Sequence, residues 1–177
     1  MPRRRLRPVE VREAQEVFGN EIPYGQVWLH EHARWPDLLA RLGGFLSRTK
    51  VSPGGNSVTL GRSIYFPYPL RTESAQLETG LYGDMAWLIH ELTHVWQFGH
   101  GGYRYVLQAL AGQLHHGPAV YVYGGEHGLA KAGDTHTSLS DFNPEQQGDI
   151  ARDYYLRRKV GASTAAWDPF IAELRAG

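Results

Sequence analysis

Apolar positions 11, 14, 17 and 18 fall on one face of a helix over residues 8–18, with Pro8 suited to its first turn and Gly19 to its end. Residues 25–30 predict a short strand, and residues 35–45, opened by Pro36-Asp37 and closed near Gly43-Gly44, predict a further helix. After the turn chemistry of Ser52-Pro53-Gly54-Gly55-Asn56, Val58, Leu60, Arg62, Ile64 and Phe66 alternate with Thr59, Gly61, Ser63 and Tyr65. That alternation predicts one half-buried strand, ended by Pro67 and Pro69. The clearest helical stripe is Leu88, Ile89, Leu92, Val95 and Trp96, which predicts a helix over 82–98 broken by Gly99-His100-Gly101-Gly102. Another helix is expected over 103–115, stopped by Gly117-Pro118, followed by a polar excursion to Asp141 around the apolar piece 119–123. Asn143-Pro144-Glu145-Gln146 is a helix start, with Asn as cap, Pro at the first position and Gln three residues on, and this helix should run to about Val160.

The chain has 177 residues, close to the size of one domain, and 42% hydrophobic residues suffice for a continuous core. Lys plus Arg equals Asp plus Glu at 18 each, so the surface as a whole has no field to gather nucleic acid or an anionic membrane. The local exception is Arg3, Arg4, Arg5 and Arg7. The following Val9-Glu10-Val11-Arg12-Glu13 is too polar for the apolar part of a secretory signal, so residues 1–7 are expected to be a flexible, solvated basic terminus. No apolar run is long enough to span a bilayer. There is no cysteine, which removes disulfides, thiol nucleophiles and Cys-type zinc sites and leaves His and carboxylates as the only strong metal ligands.

The decisive string is His90-Glu91-Leu92-Thr93-His94, inside the strongest helical pattern. Histidines four apart share a helix face and reach one ion, while Glu91 is offset and can address a water there as general base. The bland alternative, a core helix with two satisfied histidines, would bury two imidazoles at a cost.

A catalytic zinc takes three protein ligands and keeps a fourth position open. His100 lies ten residues after His90, the metzincin spacing, but position 97 is Gln where that class needs Gly, and the only methionines are Met1 and Met85, neither placed for a Met turn. The better third ligand is Glu145, because Glu145-Gln146-Gln147-Gly148-Asp149 has the Glu-x-x-x-Asp arrangement of gluzincins, with Asp149 steadying a ligand imidazole. The donor for a developing oxyanion stays open among Tyr154, Tyr155, His127 and His136. His115-His116 diverge by about 100° on a helix and are expected to be surface residues.

Glu16-Val17-Phe18-Gly19, Gln26-Val27-Trp28-Leu29-His30, Ser63-Ile64-Tyr65-Phe66, Leu88 to Gln97 and Phe142 to Asp149 together resemble small bacterial zincin-type metallopeptidase domains, some of them attached to VgrG spike proteins of type VI secretion or accompanying extracellular contractile injection systems. The resemblance spans about residues 9 to 160 and is most specific at His-Glu-Leu-Thr-His-Val-Trp-Gln and Asn-Pro-Glu-Gln-Gln. It implies zinc (Zn2+) on His90, His94 and Glu145 with Glu91 catalytic. The expected fold is an α+β, zincin-like single domain over 1–177, a small mixed sheet packed on the active-site helix with a mostly helical C-terminal part. The expected function is zinc-dependent hydrolysis of a peptide or protein substrate, which could add as a strand along the edge of 58–66. Expected partners are a secretion-system spike or an immunity protein, with no nucleic acid and no membrane. The protein would be cytoplasmic when made and exported by a contractile system without a signal peptide. The rival from another class is a domain that keeps zinc without turnover, as a structural part or passenger of the apparatus.

Overall fold

The computed structural model describes residues 3–35, 57–116 and 122–177, with the backbone alone over 103–116. The helix expected over 35–45, the turn at 52–56 and most of the apolar piece 119–123 lie outside the described residues.

A four-stranded mixed sheet contains β1 (Arg3–Arg5), β2 (Trp28–His30), β3 (Val58–Leu60) and β4 (Ser63–Tyr65), in the order β1-β2-β4-β3. The outer pairs are antiparallel and the central β2-β4 pair is parallel. Around it lie α1 (Pro8–Phe18), α2 (Ser74–Glu78), α3 (Gly83–His116), α4 (Gly125–Asp134), α5 (Pro144–Lys159) and α6 (Asp168–Ala176). The chain is thus mixed α+β, a small sheet with a mostly helical remainder, as expected.

Four local expectations are corrected. The alternation over 58–66 is a hairpin and not one strand, because Gly61 takes a left-handed φ of 62° and turns the chain between Leu60 and Ser63. Residues opposite each other in an antiparallel pair share a face, so Thr59 sits with Ile64 on the inner side while Val58 and Leu60 sit with Tyr65 and Ser63 on the outer. The helix over the histidines continues through Gly99-His100-Gly101 and kinks only at Gly102, whose φ is 62°. Residues 25–30 begin as a 3-10 turn, Tyr24–Gln26, and become strand only at Trp28.

The arginine-rich terminus is the fourth correction, since residues 3–5 form β1 instead of fraying. Its cause is Glu10, fully buried on α1, which would be prohibitively costly as a lone carboxylate. Arg4 reaches both its oxygens at 2.8 Å, the Arg7 backbone N–H donates at 2.7 Å, and the Thr72 hydroxyl donates as well. Arg3 and Arg5 meanwhile flank the Trp28 ring at 4.5 and 3.5 Å.

The core is one cluster. Leu29, Ile64 and Phe66 line the inner face of the sheet, and Met85, Leu88, Ile89, Leu92 and Val95 form the buried stripe of α3. Ile150, Ala151, Tyr154 and Tyr155 bury α5. α5 packs along α3, and α6 packs on α1 through Phe170, Ile171 and Leu174. Full burial of each large apolar side chain contributes about 1.5–3 kcal/mol. The contact between α3 and α5 fixes where the functional side chains of the two helices meet.

Candidate metal centre

His90 and His94 lie one turn apart on α3, with ring centroids 5.0 Å apart and the planes at 77°. Glu145 comes from the first turn of α5, which starts as its sequence dictates: the Asn143 side chain accepts from the Gln146 N–H at 3.0 Å, and Pro144 occupies the first turn. The two Glu145 oxygens stand 3.3 Å from His90 Nε2 and 3.7 Å from His94 Nε2. Adjacent ligands on a tetrahedral zinc with bonds of about 2.0–2.1 Å are about 3.3–3.4 Å apart, so the contact of Glu145 with His90 has that spacing and its contact with His94 is somewhat longer.

Each imidazole is held through its other nitrogen. His90 Nδ1 donates to Asp149 Oδ1 at 3.0 Å, and Arg152 donates to the same oxygen. Gln97 Nε2 faces two acceptors, Pro144 O and Gln147 Oε1, both at 3.0 Å, which leaves its Oε1 for His94 Nδ1 at 2.7 Å. Gln147 is anchored in turn by donating to Leu139 O and Phe142 O. Both rings turn Nε2 toward Glu145, and with a cation bound there each would keep its proton on Nδ1 and offer the Nε2 lone pair to the ion.

Ligand-capable atoms of His90, Glu91 and His94 also lie within 4.8 Å of one another. Glu91 is a poorer third ligand than Glu145, because both its oxygens are taken. Ser57 Oγ donates to Oε1 and Thr59 Oγ1 to Oε2, each at 2.6 Å, and Trp87 Nε1 donates to Ser57 Oγ at 2.7 Å. Glu91 is thus tied to β3 beside the imidazole pair.

Glu91, Glu145 and Asp149 are each about 5% exposed. Burial pushes the His90 imidazole down, but hydrogen bonds to Asp149 and Glu145 and the charge of Glu91 outweigh it and raise the group to about 10. The carboxylates around His90 favour positive charge at that ring, a charge that a proton or a divalent cation can supply.

The structure brings together His90, Glu91, His94, Glu145 and Asp149, as the spacing predicts. His100 stands apart: it is exposed, its Nδ1 donates to Trp96 O at 2.8 Å, and its ring packs on Trp96. None of the four expected oxyanion donors joins the cluster among the described residues. Tyr155 donates to Glu13 at 2.9 Å, Tyr154 meets Arg175 at 3.3 Å about half a turn round α5 from Glu145, and His127 and His136 are exposed. Sequence reasoning missed Ser57 and Thr59, and it gave Gln97 no role at the site, using it as the absence of a glycine and as the end of the string that carries the resemblance.

No protein-family model matches the chain. It is 32% identical over 185 aligned residues to the type VI secretion system spike protein VgrG2b of Pseudomonas aeruginosa, an alignment covering 97% of this chain and 15% of that protein. The chain thus spans a small part of that relative's length. The solved effector domain of Pseudomonas aeruginosa VgrG2b aligns with 27% identity over 94% of this chain and 83% of that one, at a TM-score of 0.49. Sequence similarity links this chain to a spike protein of type VI secretion. Among the described residues no helix is long and apolar enough to cross a membrane.

Proposed function

We propose that the chain is a zinc-dependent peptidase of a type VI secretion effector, holding zinc on His90, His94 and Glu145 and using Glu91 as general base. The observation that carries this reading is the meeting of two Nε2 atoms and one carboxylate at 3.3 and 3.7 Å, with both Nδ1 atoms committed elsewhere. A zinc ion held there would supply Lewis acidity, making water a better nucleophile near neutral pH and polarising the scissile carbonyl.

The chain's own residues do the rest. Asp149 and Gln97 hold the two imidazoles in the ligating tautomer. Glu91 takes a proton from the attacking water as the new carbon–oxygen bond forms, and gives it to the amine nitrogen as the carbon–nitrogen bond breaks. Ser57 and Thr59 keep its carboxylate in place. Among the described residues β3 is an edge of the sheet, which would let an extended peptide pair with it beside Glu91. Similarity to a spike protein supports delivery by a type VI apparatus and a spike as partner.

A second reading has its own support. Because both Glu91 oxygens are satisfied by hydroxyl donors, the residue could serve only to fasten α3 to β3 in a zinc-holding domain without turnover. Metal analysis with peptide-library cleavage separates the two. Under the peptidase reading wild type holds about one zinc and cleaves, and Glu91→Gln keeps the zinc while losing at least about a hundredfold in turnover. Stoichiometric zinc with no cleavage by wild type favours the second reading, and full activity of Glu91→Gln overturns the first.

A further inference from the structure

Gly148 lies inside α5, where glycine is the least favourable residue after proline, and its backbone does not demand it, since its φ is outside the left-handed region. What demands it is the ring of His90. A Cβ at 148 would stand 2.8 Å from His90 Cε1 and Nδ1 and 3.0 Å from Nε2, inside any tolerable contact. The ring has little room to retreat. It is 8% exposed, its Nδ1 is bonded to Asp149 and its Nε2 faces Glu145. Residues 145, 148 and 149 share one helix face, so α5 meets this one imidazole with a carboxylate ahead of it, bare backbone against its flat side and a second carboxylate behind.

We infer that Gly148 is a positioning residue of the metal centre: by placing no side chain between α5 and His90, it sets the separation at which His90 and Glu145 can share one cation. This rests on the zinc reading, and it adds a residue whose role is to be absent. Any side chain at 148 drives α5 off the ring or the ring off its axis, and either movement opens the 3.3 Å gap between His90 Nε2 and Glu145. His94, held by Gln97, would be left with a displaced partner.

The test uses the full chain as wild type, Gly148→Ala, His90→Ala and the double variant, with Zn2+ competed against a fluorescent chelator and melting temperatures taken without metal. Gly148→Ala is expected to weaken zinc binding about tenfold to a hundredfold. In the His90→Ala background the same change is expected to raise the melting temperature by about 2–4 °C, because alanine is the better helix former once the ring is gone. That reversal of sign is something general damage to the helix would not produce. If Gly148→Ala alone does not fold, a double variant that melts above His90→Ala carries the inference, and a double variant that also fails to fold overturns it. Wild-type zinc affinity in Gly148→Ala overturns it too, as does an equal loss of melting temperature in both backgrounds. A wild type that binds no zinc overturns the functional reading and this inference with it, and that arm is read separately from the variants.

Discussion

Gln97 sits three residues past His94 and is only 3% exposed, so each of its amide atoms needs a partner inside the protein. It has them all: His94 Nδ1 on its oxygen, Pro144 O and Gln147 Oε1 on its nitrogen. Gln97→Leu keeps the bulk and removes the amide, stranding a ring N–H and weakening the link to α5. The expected result is zinc affinity about tenfold to a hundredfold lower and about 1–3 kcal/mol less stability, read by chelator competition and denaturant unfolding. Unchanged affinity would show that His94 is oriented by the helix alone. At this scale the clustering of His90, His94, Glu145 and Asp149 was legible, and the other residues that hold them were not. His90 and His94 are related by helix geometry, and Glu145 and Asp149 repeat the same four-residue spacing on a second helix. Ser57, Thr59 and Gln97 take their roles from packing between β3, α3 and α5, which no local spacing encodes.

The element that delivers Glu145 depends on a single cap. Asn143 accepts from the Gln146 N–H at 3.0 Å, and the Gln146 side chain accepts from the Asn143 N–H at 3.1 Å, so the first turn of α5 is closed from both ends. Asn143→Ala should cost about 1 kcal/mol, lower the melting temperature by about 2–4 °C and, by fraying the turn that holds the ligand, weaken zinc binding as well. A lower melting temperature with wild-type zinc affinity would mean that Glu145 is placed by α3 packing instead of by its own cap. This cap was readable in the sequence because capping chemistry is local. The short helices were harder. α4 has only Leu129 and Ala132 buried, and α2 only Leu77, so neither presents a stripe to read. The hairpin was misread because a two-residue turn preserves a period of two while exchanging the faces, and Gly61 alone marked it.

For the whole molecule, the α+β class followed from the family resemblance together with the strand and helix periods along the chain, but the closing of the sheet by β1 did not. A net charge of zero and four arginines near the start suggest a solvated end; only the burial of Glu10 on α1 requires Arg4 to turn inward. The two halves of the proposed metal centre, on α3 and α5, are joined through a long connection and meet because both helices bury apolar faces in one core. The central claim is therefore a statement about where three side chains converge, and diffraction at the zinc absorption edge from crystals of the metal-loaded chain tests it most directly. One anomalous peak about 2.0–2.1 Å from His90 Nε2, His94 Nε2 and a Glu145 oxygen, with Glu91 outside bonding distance, is the predicted result. A peak bonded by Glu91 or His100 with Glu145 turned away, or no peak at the imidazole pair, would contradict it.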